Sequence, residues 1–535
     1  MNISFLDLAI ILAYLALILI VGLLVARRQK MDSSSYFLAG RSLNWVVIGC
    51  ALFASNISTI HLVGLASAGF SDGLVQGNFE WMAVFILIVL SLVFAPFYFR
   101  SKIATLPEFL EKRYNGAART VLAVFGIVGA LFLHIGVSLY AGAVVFEDFF
   151  GVDKWVAIAL IAAITSIYTV LGGLKSVVIT ETIQTVVLLA GAACLLAFGL
   201  HALGEKGIHT YADFIEACRP NQMSLLLTHE QNPKLPWYSI LLGYPVIGIW
   251  YWCADQTIVQ RLLGARSLDD ARKGPLFAGV LKILPVFLMV IPGVLAYVLF
   301  DGLITNPNDA LPVMIRELLP VGLIGLFGAS LLAALMSTIA SALNSAATLV
   351  SIDIFKRINS SLSDRRQVNI GKVAAVAVMV LSIAWSPVIE KFASIFDAIN
   401  QMLAVLSPPI AVVFIFGVCW KRGNATGALA TMIAGIVAGI AVFIIDFPAI
   451  GDVKILTERM GMPYMMQCWW LFVFCSVVFV TVSRLTPPPA AEKVAGLTLD
   501  SPLGFLKGRM RGAGDVRMLA LYLLAVMLVL YYVFG

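Results

Sequence analysis

Two ionisable residues stand within long apolar stretches: Glu80, in Phe79-Glu80-Trp81, and Lys282, in the run from about residue 275 to 300. A charged side chain at the centre of a bilayer costs roughly 2.5–3.5 kcal/mol on insertion scales, so such a residue is ordinarily paired and functional. With Asn400 and Gln401, either of which both donates and accepts, they supply the acceptor, donor and amide groups that a hydroxyl-rich solute needs. Tyr251 or Trp252 would cover the apolar face of that solute. Plainer readings stand beside these. Glu80 could cap the start of a helix, Lys282 could snorkel toward an interface, and His61 could be a satisfied interior histidine.

A second set of groups offers oxygen rather than charge. The run Ala54-Ser55-Asn56-Ile57-Ser58-Thr59 interrupts one apolar stretch near its middle, and Gly243, Pro245 and Gly248 interrupt another five stretches later. Backbone that leaves the helix within lipid exposes carbonyls, tolerated only where protein, ions or water satisfy them. Broken helices at matching positions of two halves point to an inverted-repeat carrier with a midplane site; the alternative is that Gly and Pro merely kink packed helices. The broken stretch at Ala54 and Ile57 could offer free carbonyls, and the small-residue run Ala334-Leu335-Met336-Ser337-Thr338 could offer one carbonyl and two hydroxyls. Neutral oxygens of this kind suit a hard monovalent cation that must be bound and then released. The two hydroxyls could equally bond back to their own helix.

The elements that would hold these groups are membrane helices. Of 535 residues 61% are hydrophobic and 12% charged, against roughly 25% charged in a soluble domain. Apolar stretches of about 20 residues, enough to cross a bilayer, recur along the whole chain. The predicted spans are 5–25, 43–67, 80–99, 120–147, 153–172, 176–204, 237–262, 275–300, 322–350, 371–390, 395–418, 425–446, 465–483 and 517–534. Every second loop is basic and these loops hold most of the 36 Lys and Arg, which places them in the cytoplasm and both termini outside a cell membrane. The first span reads as a retained helix rather than a cleaved signal. The final helix, after the linker with Pro487, Pro488 and Pro489, reads as peripheral. The net charge of +6 is explained by topology, so nucleic acid is not implied; membrane lipid is. The seven cysteines lack disulfide or metal spacing, and no nucleophile motif or phosphate loop suggests an enzyme.

Further motifs are spread collinearly along the chain: Tyr36-Phe37-Leu38-Ala39-Gly40-Arg41; Phe53-Ala54-Ser55-Asn56-Ile57 with His61; Gly172-Gly173-Leu174; Thr180-Glu181-Thr182-Ile183-Gln184. They continue with Trp250-Tyr251-Trp252-Cys253-Ala254-Asp255-Gln256, Leu343-Asn344-Ser345-Ala346, Pro408-Pro409-Ile410 and Trp420-Lys421-Arg422. On these residues the chain resembles the sodium/solute symporters, and within them the sodium/glucose cotransporter branch.

The resemblance implies an all-α integral membrane protein with a LeuT-like five-plus-five inverted repeat. Its expected parts are a leading helix and linker (1–42), a first repeat (43–204), an outer loop (205–236), a second repeat (237–424) and three trailing helices (425–535). It implies that Ala54, Ile57, Ala334, Ser337 and Thr338 form a sodium site, with Thr338 standing where many relatives have serine. It places His61, Glu80, Tyr251, Trp252, Lys282 and Asn400 at sugar-site or gate positions, Tyr251 as the inner gate; Asn400 replaces a usual glutamine, and Gln401 lies beside it. A second sodium in some relatives involves residues matching Glu181, Ala340 and Ser341; the hydroxyl missing at Ala340 favours one sodium per cycle.

The expected activity is therefore sodium-coupled import of a small neutral sugar by alternating access. Its rivals are a symporter for an inositol, amino acid or osmolyte, and a sugar sensor on the same fold. No arginine lies well inside a predicted span, which argues against carboxylate-bearing solutes. Asp255, Gln256 and Arg261, toward the inner end of their span, read as salt-bridge residues, and Asp397 as a helix N-terminal charge.

Overall fold

A computed structural model describes residues 4–391, 395–446, 454–501, 504–506, 510 and 512–535. Within them the chain is helical. The helices that position the site are α1 (Phe5–Arg27), α2 (Trp45–Asn56), α3 (Thr59–Ser71), α4 (Asn78–Val89), α5 (Gly116–Gly129), α6 (Val137–Phe150), α7 (Lys154–Glu205) and α8 (Trp237–Gly248). They continue with α9 (Gln256–Leu263), α10 (Leu268–Leu281), α11 (Leu323–Thr348), α12 (Asp364–Trp385), α13 (Ile395–Cys419), α14 (Ala425–Ile445), α15 (Tyr464–Leu485) and α16 (Val516–Phe534). Among the described residues eleven helices are long and apolar enough to cross a membrane, twelve if the bent pair at 45–71 is one span.

That number is below the fourteen read from the sequence for identifiable reasons. At 1.5 Å per residue a 52-residue helix such as α7 would extend about 78 Å, more than twice a hydrocarbon core. It is broken at Gly173, whose φ of 54° and ψ of −157° lie outside the helical region. A Cβ at Gly173 would meet the Tyr36 carbonyl, and the Tyr36 hydroxyl donates to Val170 O at 2.9 Å, so the Tyr36–Arg41 motif braces this turn. The segment 237–263 is divided between α8 and α9, each shorter than a span.

The first interruption falls where the polar run put it. α2 ends at Asn56, Ile57 is extended (φ −77°, ψ 114°), and the two halves meet at 62°. The second does not. Helix α8 runs through Gly243 and Pro245 to Gly248, followed by a π-helical turn, Ile249–Ala254, and the break comes at Asp255 (φ −84°, ψ 124°). Gly243 serves packing instead: a Cβ there would strike the Met465 carbonyl of α15. The freed Cys253 carbonyl is satisfied by the Tyr98 hydroxyl at 2.6 Å, and Asp255 caps α9 through the Thr257 N–H at 2.7 Å.

Helix α11 has no ionisable residue and is buried almost throughout; its alanines, serines and glycines let α7, α1 and α2 approach closely. Helix α16 is not peripheral as the sequence suggested. It packs on α10 and α4, its Tyr531 hydroxyl donates to Asn78 at 2.9 Å, and Phe534 O accepts from Leu225 N at 2.7 Å.

Candidate functional site

The break between α2 and α3 is laid against the middle of α11. Ser337 Oγ donates to Ala54 O at 2.7 Å and lies 2.9 Å from Ala334 O; Thr338 Oγ1 is 3.4 Å from Ile57 O and 3.2 Å from Ala334 O. All five residues are buried, so their carbonyls and hydroxyls converge on one small volume without a carboxylate. Ser55 O adds a sixth oxygen, 3.4 Å from Thr338 Oγ1, that sequence reasoning did not single out. The set fits a hard monovalent cation: every group is an oxygen and none is charged. In this arrangement the hydroxyl protons point at carbonyls, and rotating them away turns both hydroxyls into ligands.

Beside this cluster lies a cavity of about 150 Å³, lined by Asn56, His61, Glu80, Tyr251, Trp252, Lys282 and Thr338 among others. Glu80, in the first turn of α4, and Lys282, just after α10, form a direct ion pair, with side chains 3% and 1% exposed. Their neighbours in sequence lock the register: the Trp81 indole donates to Ile283 O at 3.1 Å. Lys282 Nζ also donates to Asn56 Oδ1 at 2.5 Å, lies 5.7 Å from the Trp252 ring centre, and Asn56 in turn donates to the Tyr251 hydroxyl at 3.1 Å. A buried pair of this kind contributes little net stability but is costly to leave half-made, which fits groups kept for exchange with a solute's hydroxyls. His61 Nδ1 accepts from Ser58 N at 3.2 Å, so it both steadies the start of α3 and faces the cavity.

Six of the seven solute-site candidates can be placed. His61, Glu80, Tyr251, Trp252 and Lys282 share the cavity wall; Gln401 is half-buried and off it, α13 contributing Leu403 there instead. The side chains of Asn400 and Asp397 lie outside the described residues. Sequence reasoning missed Asn56, His134, Ser138 and Tyr244 on the same wall. Asn56 had a signal, being a polar residue inside an interrupted apolar stretch; His134 is a lone ionisable residue in another. Arg261 is fully buried and pairs with Glu181 at 2.8 Å, as expected of a salt-bridge residue, while Asp255 instead meets His134 at 3.1 Å. Glu181 also receives the hydroxyls of Ser55, at 3.1 Å, and Ser341.

The model of the sodium:solute symporter family matches residues 36–435. The chain belongs to that family. The symporter is 34% identical to the human sodium/myo-inositol cotransporter over 539 residues, covering 92% of this chain and 75% of that one. It is likewise 34% identical over 526 residues to sodium/glucose cotransporter 1 of Ovis aries, covering 90% and 79%. Among solved structures it resembles a substrate-bound, outward-open Na+-coupled sialic acid symporter, with TM-score 0.74 and 22% identity over 91% of this chain and 99% of that one. It also resembles MHP1, a nucleobase-cation-symport-1 family transporter, in a closed conformation, with TM-score 0.57 and 14% identity over 88% and 98%. These likenesses establish the LeuT-like fold. The symporter is a multi-pass membrane protein that couples movement of a small solute to sodium.

Proposed function

We propose that the symporter imports a small neutral sugar of the glucose or galactose type together with one sodium ion. The observation that carries this reading is the chain of contacts Glu80–Lys282–Asn56–Tyr251 along the cavity, which begins between the carbonyls of Ala54 and Ile57. Sodium held by Ala54, Ile57, Ala334, Ser337 and Thr338 would steady the break and hold Asn56 toward Lys282 and Tyr251, where it meets the sugar. Ion and sugar then bind cooperatively, and the coupling is reciprocal: sugar tightens sodium by the factor that sodium tightens sugar.

Glu80, Lys282 and Asn56 exchange their mutual bonds for sugar hydroxyls; Trp252 and Tyr251 cover the apolar face, and Tyr251 moves aside on the inner side. A neutral solute is supported by the lining, since Glu80 already balances Lys282 and no arginine lines the cavity among the described residues. A carboxylate there would leave a net charge in a low dielectric. One sodium per cycle is supported by Glu181 being neutralised by Arg261 and by Ala340 lacking a hydroxyl. About 2.3 kcal/mol from 100 mV and about 1.4 kcal/mol from a tenfold sodium gradient allow roughly 500-fold accumulation. The basic loops support an inner side that faces the cytoplasm, with both termini outside.

Myo-inositol is the second reading, favoured by the same neutral polar lining and by the human relative. Uptake of labelled glucose, galactose, myo-inositol and an anionic sugar into proteoliposomes, with and without sodium, decides between them. A hexose preference supports the first reading, an inositol preference the second, and preference for the anion overturns both.

A further inference from the structure

Among the described residues helix α16 puts no side chain on the wall of the solute cavity, yet it grips the helix that carries Glu80. The first turns of α4 have two faces. At about 100° per residue, Asn78, Trp81 and Phe85 fall on one stripe, and Glu80 stands about 200° round from Asn78. The stripe meets α16: the ring centres of Tyr531 and Phe534 lie 5.8 and 5.9 Å from that of Trp81, and Tyr531 lies 6.0 Å from Phe85. Glu80, on the other face, pairs with Lys282.

Three hydrogen bonds close a ring around that contact. The Tyr531 hydroxyl donates to Asn78 Oδ1 at 2.9 Å, Asn78 Nδ2 donates to Leu225 O at 2.7 Å, and Leu225 N donates to Phe534 O at 2.7 Å. The other Asn78 donor goes to Val75 O at 2.9 Å, so both N–H groups of this fully buried amide are used. We propose that Tyr531 is a positioning residue for the solute site: through Asn78 it fixes the rotation of α4 that aims Glu80 at Lys282 and the cavity. The inference rests on the transport reading above and adds to it a residue that touches neither ion nor solute.

Small rotations are enough to matter. Side-chain atoms stand about 5–6 Å from a helix axis, so a turn of about 10° carries the Glu80 carboxylate by about 1 Å. A hydrogen bond stretched that far, from about 2.9 Å to well beyond 3.5 Å, is lost. The oxygen cluster of Ala54, Ile57, Ala334, Ser337 and Thr338 draws no group from α4 or α16. Loss of the Tyr531 hydroxyl should therefore be felt by the solute and not by sodium alone.

Calorimetric titration of the purified protein, with whichever neutral solute the uptake panel identifies, tests this role. Tyr531→Phe keeps the ring and leaves Asn78 Oδ1 without its recorded partner. It is expected to weaken solute binding at saturating sodium about fivefold, with sodium binding in the absence of solute within about twofold and the maximal uptake rate little changed. Tyr532→Phe removes a hydroxyl from the neighbouring side chain of the same helix, 90% exposed, and is expected to alter none of these. Asn78→Ala and the double change Asn78→Ala with Tyr531→Phe are expected to agree within about twofold, because their shared bond can be lost only once. A Tyr531→Phe solute affinity like the wild type's, or a sodium affinity that falls as far as the solute's, overturns the role of Tyr531; a double variant about fivefold weaker than Asn78→Ala overturns the route through Asn78. Wild-type protein that binds no solute removes the transport reading itself, a result distinct from wild-type-like binding by Tyr531→Phe.

Discussion

Replacing Asn56 with alanine separates the ion cluster from the solute cavity without removing a ligand from either backbone. The side chain accepts from Lys282 at 2.5 Å and donates to the Tyr251 hydroxyl at 3.1 Å, whereas the Ala54 and Ile57 carbonyls belong to the main chain and remain. A hydrogen bond to a charged group contributes roughly 1.5–3 kcal/mol and one between neutral groups roughly 0.5–1.5 kcal/mol. Lys282 keeps Glu80, so much of the first is retained; Tyr251 loses its recorded partner. A net loss of about 2 kcal/mol corresponds to about 30-fold weaker solute binding. Calorimetric titration of purified protein measures solute affinity with and without sodium, and sodium affinity with and without solute. Asn56→Ala is expected to weaken solute binding about 30-fold, to leave sodium binding without solute within about threefold, and to shrink the coupling factor equally in both directions. A solute affinity close to wild type, or a sodium affinity that falls as far as the solute's, refutes the role given to Asn56.

Three other substitutions probe neighbouring steps. Ser337→Ala removes one of two hydroxyl ligands and is expected to raise the sodium concentration for half-maximal uptake by about tenfold or more; an unchanged sodium dependence counts against the five-oxygen site. Lys282→Met alone leaves Glu80 buried without its partner and should destabilise by about 3–5 kcal/mol in thermal unfolding. The double change Glu80→Leu with Lys282→Met should recover stability but not solute binding; recovery of binding as well would show the pair to be structural. Gly173→Ala forces a side chain into a left-handed conformation against the Tyr36 carbonyl, and should lower stability by more than about 1 kcal/mol, seen as a lower melting temperature.

The first half of the site was readable because its chemistry interrupts its own surroundings. Five residues from Ser55 to Thr59 include four polar ones in an apolar stretch, and the chain leaves the helix among them at Ile57. Glu80 and Lys282 were visible for the same reason, but that they pair with each other, across 202 positions, came only from the structure. The second break was misplaced because glycine and proline mark close packing as readily as interruption. Gly243 makes room for Met465, and the true break is announced by Asp255, a capping residue within a run that otherwise reads as continuous helix. The Asn56 bridge and the His134–Asp255 contact, which joins residues 121 positions apart, depend on tertiary placement that periodicity does not carry. Fold class was easier than site detail because bilayer thickness and basic loops constrain spans, while nothing local says which polar side chain turns toward which cavity.

Accumulation of labelled glucose in proteoliposomes under an inward sodium gradient and an inside-negative potential tests most directly whether sodium drives this solute. The account predicts a transient internal concentration well above the external one, abolished when potassium replaces sodium and strongly reduced by Ser337→Ala. Uptake that only equilibrates, at the same rate with or without sodium, would contradict it.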